Sequence, residues 1–267
     1  MPGLPMLKAL WAYRSFVWSS VLREFSGRYR ESLLGAFWAV AQPLSMILVY
    51  TVIFGRLMRP TLAGHEQTPF AFSIYLCAGL LTWNLFAEML TRMNTVFLDN
   101  GNLIKKSNFP RICLPAIVAL SSLLNFAIVM ALYLGFLVLI GHWPGWALLA
   151  LLPLLALQVL FALGLGLLMG TVNVFFRDMA PLTQIGLQFW FWLTPVVYTA
   201  SALPETVGKL LMLNPLVPLV QAYQGVFLDH AWPQWGNLWS LAALTVGLLL
   251  LGGAFFMARM GEMVDEL

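Results

Sequence analysis

The chain has 267 residues, 61% hydrophobic and only 9% charged, with a mean hydropathy of +0.84 and a formal net charge of +3. A soluble domain is nearer half apolar and about a quarter charged, so this composition excludes a soluble globular fold, which would lack a dispersing charged surface. It is the composition of an all-α integral membrane protein, and its small basic excess fits topology-setting residues and not a nucleic-acid footprint.

Residues 1–30 read as an amphipathic helix. At 100° per residue, Leu7, Trp11, Trp18, Leu22 and Phe25 share a sector of about 60°, with Lys8 and Arg23 well off it. Arg14 falls inside the stripe and has to snorkel. An apolar stripe with tryptophans and flanking basic residues describes a helix lying in the headgroup plane. Arg28, Tyr29 and Arg30 close it, and Gly27 can bend the chain toward the first span. No compact apolar core with a small-residue cleavage site is present, so no cleavable signal peptide is expected and the first span serves for targeting.

Residues 31–267 read as one six-span domain. The first span is about Leu33–Phe54, and the second about Phe70–Leu90, with Glu88 near its end. From Ile112 to Phe176 no Asp, Glu, Lys or Arg occurs. That run, about 65 residues, is long enough for two spans hinged at "GHWPGW" (Gly141–Trp146). A fifth is about Pro181–Ala200 and a sixth about Leu238–Ala258. Between these two, Ser201–Trp235 is apolar but interrupted by Pro204, Gly208, Pro215, Pro218 and Gly225. Each half is too short to cross, which predicts two short re-entrant helices, covered by protein or a water-filled cavity. The competing reading is a loop lying flat on the outer surface.

Of the 14 basic residues, only Arg56, Arg59 and Lys209 fall on one side of this layout. The positive-inside rule makes the other side cytoplasmic. Both termini, the "NGNLIKKSNFP" loop (Asn100–Pro110) and the Arg177 loop belong there.

Catalytic chemistry is hard to find. Cys77 and Cys113 lie in or beside apolar runs and suggest neither a disulfide framework nor a metal site. Glu88 lies near a span end, and His65, His142 and His230 fall outside the spans. No Gly-x-Ser-x-Gly, His-Glu-x-x-His or Walker A pattern occurs, so the chain is read as a non-enzyme and uphill movement would need energy from a partner. Two features remain. The Asn100–Pro110 loop combines apolar Leu103, Ile104 and Phe109 with Lys105, Lys106 and Arg111, an anchor with orienting charges, delimited by Pro110 and Pro115. The alternative is a basic loop that only sets topology. The aromatics Trp38, Tyr50, Phe54, Trp83, Phe189, Trp190, Phe191, Trp192 and Tyr198 suit a channel on whose faces sugar rings could slide, the alternative being an interfacial belt with ordinary packing.

Six ordered stretches carry a family resemblance: "REFSGRYRESLLGAFWAVAQPL" (Arg23–Leu44), "LCAGLLTWNLF" (Leu76–Phe86), "NGNLIKKSNFPRICLP" (Asn100–Pro115), "VNVFFRDM" (Val172–Met179), "LTPVVY" (Leu193–Tyr198) and "LNPLVPLVQAYQ" (Leu213–Gln224). With them the chain resembles the membrane subunit of ABC-2 type polysaccharide exporters, which carry O-antigen, capsule and teichoic acid chains. Phe175-Phe176 departs from the polar-aromatic pair frequent there. The resemblance implies a homodimer in the bacterial inner membrane, each copy engaging a cytoplasmic ABC ATPase subunit that binds ATP and Mg, with no cofactor in this chain. It implies a coupling helix over Asn102–Lys106 with Phe109, Pro110 and Arg111. Arg177 and Asp178 would make a second, smaller contact, and the re-entrant segments an outer gate. Its implied cargo is a lipid-linked polysaccharide, O-antigen first, with capsule, teichoic acid or a small lipid or drug as alternatives. A membrane-embedded transferase of lipid-linked sugars is the rival of another class.

Overall fold

The computed structural model describes residues 8, 10–30, 37–53, 62, 64–65, 68, 70–106, 109–199 and 204–266, with backbone alone at 28–30, 39, 106, 205, 207 and 209. Among these residues all regular structure is helical. The α-helices are α1 (Arg14–Arg30), α2 (Phe37–Val52), α3 (Ala71–Asp99), α4 (Gly101–Lys106), α5 (Cys113–Leu139), α6 (Leu151–Phe175), α7 (Met179–Trp192), α8 (Glu205–Leu211), α9 (Leu216–Leu228), α10 (Trp239–Arg259) and α11 (Met263–Glu266). Short 3-10 turns, Gly145–Ala150 and Trp235–Leu238, lead into α6 and α10.

Among the described residues four helical stretches are long and apolar enough to cross a bilayer: Ala71–Asp99, Cys113–Leu139, Gly145–Phe175 and Trp235–Arg259. Of the first span only 37–53 is described, and where the sequence places the fifth span the helix is shorter. α2 has 16 residues with Pro43 inside. α7 has 14 residues and gives way to an irregular stretch over 193–199. Pro195 is the reason, because its ring disfavours the helical region for Thr194 and it lacks an N–H.

α3 is the central helix, about 43 Å long at 1.5 Å per residue, and α5, α6, α7 and α9 pack around it. Two glycines let α6 approach. A Cβ on Gly166 would lie 2.6 Å from the Met93 Cβ, and one on Gly170 only 2.3 Å from the Met93 carbonyl oxygen. In lipid, where apolar side chains gain little by leaving their solvent, such small-residue contacts are a main source of helix association. Amides then tie the helices. Asn173 Nδ2 donates to the Asn94 carbonyl at 2.8 Å, Asn94 Nδ2 to Thr183 Oγ1 at 2.7 Å, and Gln158 Nε2 to the Thr82 carbonyl at 2.7 Å.

α1 packs Val17 and Val21 against Cys113 and Ile117 of α5. Its other apolar face stays open: Trp11, Trp18 and Leu22 are exposed, while Phe25 is half-buried. Arg14 does not reach past the stripe. Its guanidinium stacks over the Trp11 ring at 5.1 Å and donates to the Trp11 carbonyl. The side chains of Arg28, Tyr29 and Arg30 lie outside the described residues.

Candidate functional site

Two regions hold the residues singled out from sequence. The first is the end of the bundle bearing α4. Asn100 joins α3 to α4. Its Nδ2 donates to the Val96 carbonyl at 2.8 Å, and its own carbonyl accepts the Leu103 and Ile104 N–H groups at 3.0 Å each. α4 therefore continues α3 through a bonded joint. Asn102, Leu103 and Lys105 are exposed, with Leu103 at 37%. Two residues expected as docking anchors are placed otherwise. Ile104 is only 5% exposed, in an apolar cluster with Met93, Val96 and Phe97. Phe109 is half-buried against Phe16 of α1, ring centroids 5.5 Å apart. A short helix beside a core has one side to bury, and Ile104 lies on it. Pro110 is half-buried, and Arg111 donates to the Met260 carbonyl beyond α10. The Lys106 side chain lies outside the described residues. At the same end, the α6–α7 turn exposes Arg177 and Asp178 together with Phe176, which is 68% exposed. Sequence reasoning treated Phe176 as a departure from pattern; the structure makes it the exposed apolar group of that turn.

The second region lies midway along α3, where the candidate channel aromatics divide. Trp83, Phe86, Phe161, Trp190 and Phe191 interlock, with Phe86 stacked on Phe161 at 5.6 Å and Trp190 edge-on to Phe86 at 5.2 Å. Trp83 and Trp190 are thus packed inward. Phe189 and Trp192, on the opposite face of α7, are 69% and 60% exposed, in line with Leu182 and Ile185. Trp38 and Tyr50 line a cavity of about 210 Å³ between α2, α3 and α5, together with Gln42, Asn84, Glu88 and Asn125. Phe54 lies outside the described residues.

Above Trp192 the broken backbone is supported by side chains. Pro195 and Tyr198 offer their carbonyls to the Tyr75 hydroxyl at 3.1 and 3.0 Å, and Gln224 Nε2 donates to Pro195 at 3.2 Å. Asn214, between α8 and α9, uses its whole bonding capacity. Its Oδ1 accepts the Trp190 indole N–H at 2.9 Å and the Leu216 N–H at 3.0 Å, and its Nδ2 donates to the Leu193 carbonyl and Thr194 Oγ1. Irregular backbone at bundle depth survives only with such partners. Because Trp190 touches Phe86 near the middle of α3, Asn214 sits at half depth. From there α9 runs back to the end where His142 meets the Phe227 carbonyl at 3.1 Å. The segment is a dipping hairpin and not a flat surface loop: Val217, Leu219, Tyr223, Val226 and Phe227 are fully buried. Asn214 was not read as a site residue, although it stands inside "LNPLVPLVQAYQ".

Sequence reasoning also missed a polar chain along α3. Glu24 of α1 pairs with Arg92. Arg92 donates to Ser122 Oγ at 3.1 Å and approaches Glu88 at 3.4 Å, and Glu88 accepts from Asn125 Nδ2 at 2.9 Å. The i,i+4 spacing of Glu88 and Arg92 was the available signal.

Half-crossing helices, small-residue packing and a hairpin folded back from mid-depth define a multi-pass membrane protein of the transporter class. The chain belongs to the ABC-2 type transporter family, whose model matches residues 15–228. It is 31% identical over 264 residues to the O-antigen export system permease protein RfbA of Myxococcus xanthus, covering 98% of this chain and 99% of that one. It is 29% identical to a Klebsiella pneumoniae protein of the same name over 78% of each chain, and 23% identical to the Escherichia coli polysialic acid transport protein KpsM over 92% and 93%.

Proposed function

We propose that this chain is the membrane-spanning subunit of an ATP-driven exporter of a lipid-linked polysaccharide, with O-antigen as cargo. The observation that carries this reading is the end-to-end similarity to an O-antigen export permease. Two copies would enclose the path, each docked to a cytoplasmic ABC ATPase that holds ATP and Mg. The α4 end would face the cytoplasm of a bacterial inner membrane, where the basic residues concentrate.

The geometry supports a lever. α3 runs from the Asn100 joint to Tyr75, which bonds the broken segment at Pro195 and Tyr198. One turn from Tyr75, a Cβ added to Gly79 would meet Gln224 of α9 at 2.8 Å. Closure of the ATPase dimer against Leu103, Lys105 and the Phe176–Asp178 turn would tilt α3, and α3 would carry that tilt to the hairpin. The face of Phe189 and Trp192, with Trp38, Tyr50 and Tyr198, would offer aromatic surfaces to a sliding sugar chain, while Trp83 and Trp190 would hold α7 in place.

Deleting the gene tests the cargo. Loss of long-chain lipopolysaccharide from the surface, with lipid-linked glycan accumulating inside, is expected. The similarity to a polysialic acid transporter supports capsule as second reading; loss of capsule with intact O-antigen would select it. Unchanged surface glycans of both kinds would overturn polysaccharide export.

A further inference from the structure

The three histidines of the chain meet at the end of the bundle opposite α4, where α9 stops. His230, two residues past α9, has φ +54, a left-handed conformation uncommon for a residue with a Cβ. The bend is closed by Asp229 and Ala231, whose N–H groups donate to the Gly225 carbonyl at 3.0 and 3.3 Å. It turns the His230 ring back onto the α5–α6 turn, where Gly141 at φ +74 and Gly145 at φ +60 permit the tight reversal that presents His142. The two Nε2 atoms lie 3.0 Å apart. Alongside, Asp229 Oδ1 lies 2.7 Å from Nε2 of His65, in the connection before α3. Three separate connections are thus gathered at one helix end.

The hydrogen positions follow from the partners. His142 Nε2 is also 3.1 Å from the Phe227 carbonyl oxygen and 3.2 Å from that of Leu228. Carbonyl oxygens only accept, so His142 Nε2 carries the hydrogen. His230 Nε2 is then the bare nitrogen of the pair, with its hydrogen on Nδ1.

We propose that these rings form an acid-sensitive latch on the C-terminal end of α9, shut while His230 is neutral and released when its Nε2 takes a proton. A proton there would set two N–H groups against each other across 3.0 Å and abolish the bond. The titratable groups around His230 are Asp229 beside it, His142 from the α5–α6 turn, and His65 behind Asp229. Burial lowers the His230 pKa from its ordinary 6.5, the His142 ring pushes the same way, and Asp229 opposes both. The shut latch therefore binds the proton less tightly than the open one. Its stability is fully present above pH 6.5 and falls as the pH drops below that value. The latch stands on the geometry of α9 and holds whichever molecule the protein carries.

Three histidines make the test direct. The full chain, labelled with ¹⁵N-histidine and placed in lipid nanodiscs, gives three ring systems whose tautomers and titrations are read by NMR. At pH 7.5 His142 is expected as the Nε2–H form and His230 as the Nδ1–H form, with His230 titrating below 6.5. Amide exchange over 226–231, corrected for its intrinsic pH dependence, should rise as the pH is lowered from 7.5 to 5.5. The rise should vanish in His230→Gln. A His230 that carries its hydrogen on Nε2, or titrates at or above 6.5, overturns the latch. So does exchange that responds equally to pH in the wild type and His230→Gln.

Discussion

α4 and α9 are both short helices with a proline or glycine at their start, yet the fold treats them in opposite ways. α9 is enclosed by α3 and α6 and buries nine of its 13 residues. α4 buries Gly101 and Ile104 and leaves Asn102, Leu103 and Lys105 exposed. A segment wrapped by its own chain has its position set by that chain. One with a single buried side keeps the other for a partner. The contrast predicts that substitutions in α9 unfold the protein, while those on the exposed side of α4, if it docks as proposed, silence it and leave it folded.

The largest expected effect belongs to the enclosed hairpin. Asn214→Leu strands the Trp190 indole, the Leu193 carbonyl and the Leu216 N–H, each costing about 1–3 kcal/mol, and the folded fraction in detergent should collapse. Phe227→Ala removes a fully buried ring packed 4.9 Å from Tyr133 and should cost about 3–5 kcal/mol, read as a fall in thermal midpoint; an unchanged midpoint would mean α9 is less enclosed than its geometry shows. Gly170→Ala follows, at about 1–3 kcal/mol, because its Cβ meets the Met93 carbonyl oxygen, which belongs to the helix backbone and cannot swing aside.

The exposed helix should behave otherwise. Lys105→Glu with Lys106→Glu should leave the thermal midpoint within about 0.5 kcal/mol of wild type while surface polysaccharide is lost. Normal export in that double variant would remove α4 from coupling. Within α7 the same contrast recurs on two faces of one helix. Trp190→Ala should lower stability by about 3 kcal/mol or more, whereas Trp192→Ala should leave stability nearly unchanged and slow export. Equal losses of abundance would make both rings packing residues.

Some of this was legible in advance. The long crossings are composition averaged over about 20 residues, and α3, α5, α6 and α10 fall where the apolar runs stand. Pro204 and Pro215 marked the interrupted hairpin, whereas the break at Pro195 falls inside the stretch read as the fifth span. The aromatic set was legible as a set, but its division was not. Leu182, Ile185, Phe189 and Trp192 form as good a helical stripe as Thr183, Leu187, Trp190 and Phe191. The division of the Asn100–Pro110 loop was hidden for a related reason: Leu103, Ile104 and Phe109 are all apolar, and only packing shows that Ile104 lies against Met93 and Phe109 against Phe16.

By itself, then, the sequence determined a multi-pass helical protein, its four long crossings, its interrupted hairpin and its family, because each rests on local composition or on ordered motifs. Tertiary structure alone decided which face of α7 turns inward, that Asn214 holds the hairpin at half depth, and that Glu24 reaches Arg92 and His142 reaches His230. In water the apolar stripe of a helix points to the core. In a bilayer the outer face is apolar as well, so the stripe loses that meaning, and only the packed positions of partners far apart in the chain restore it.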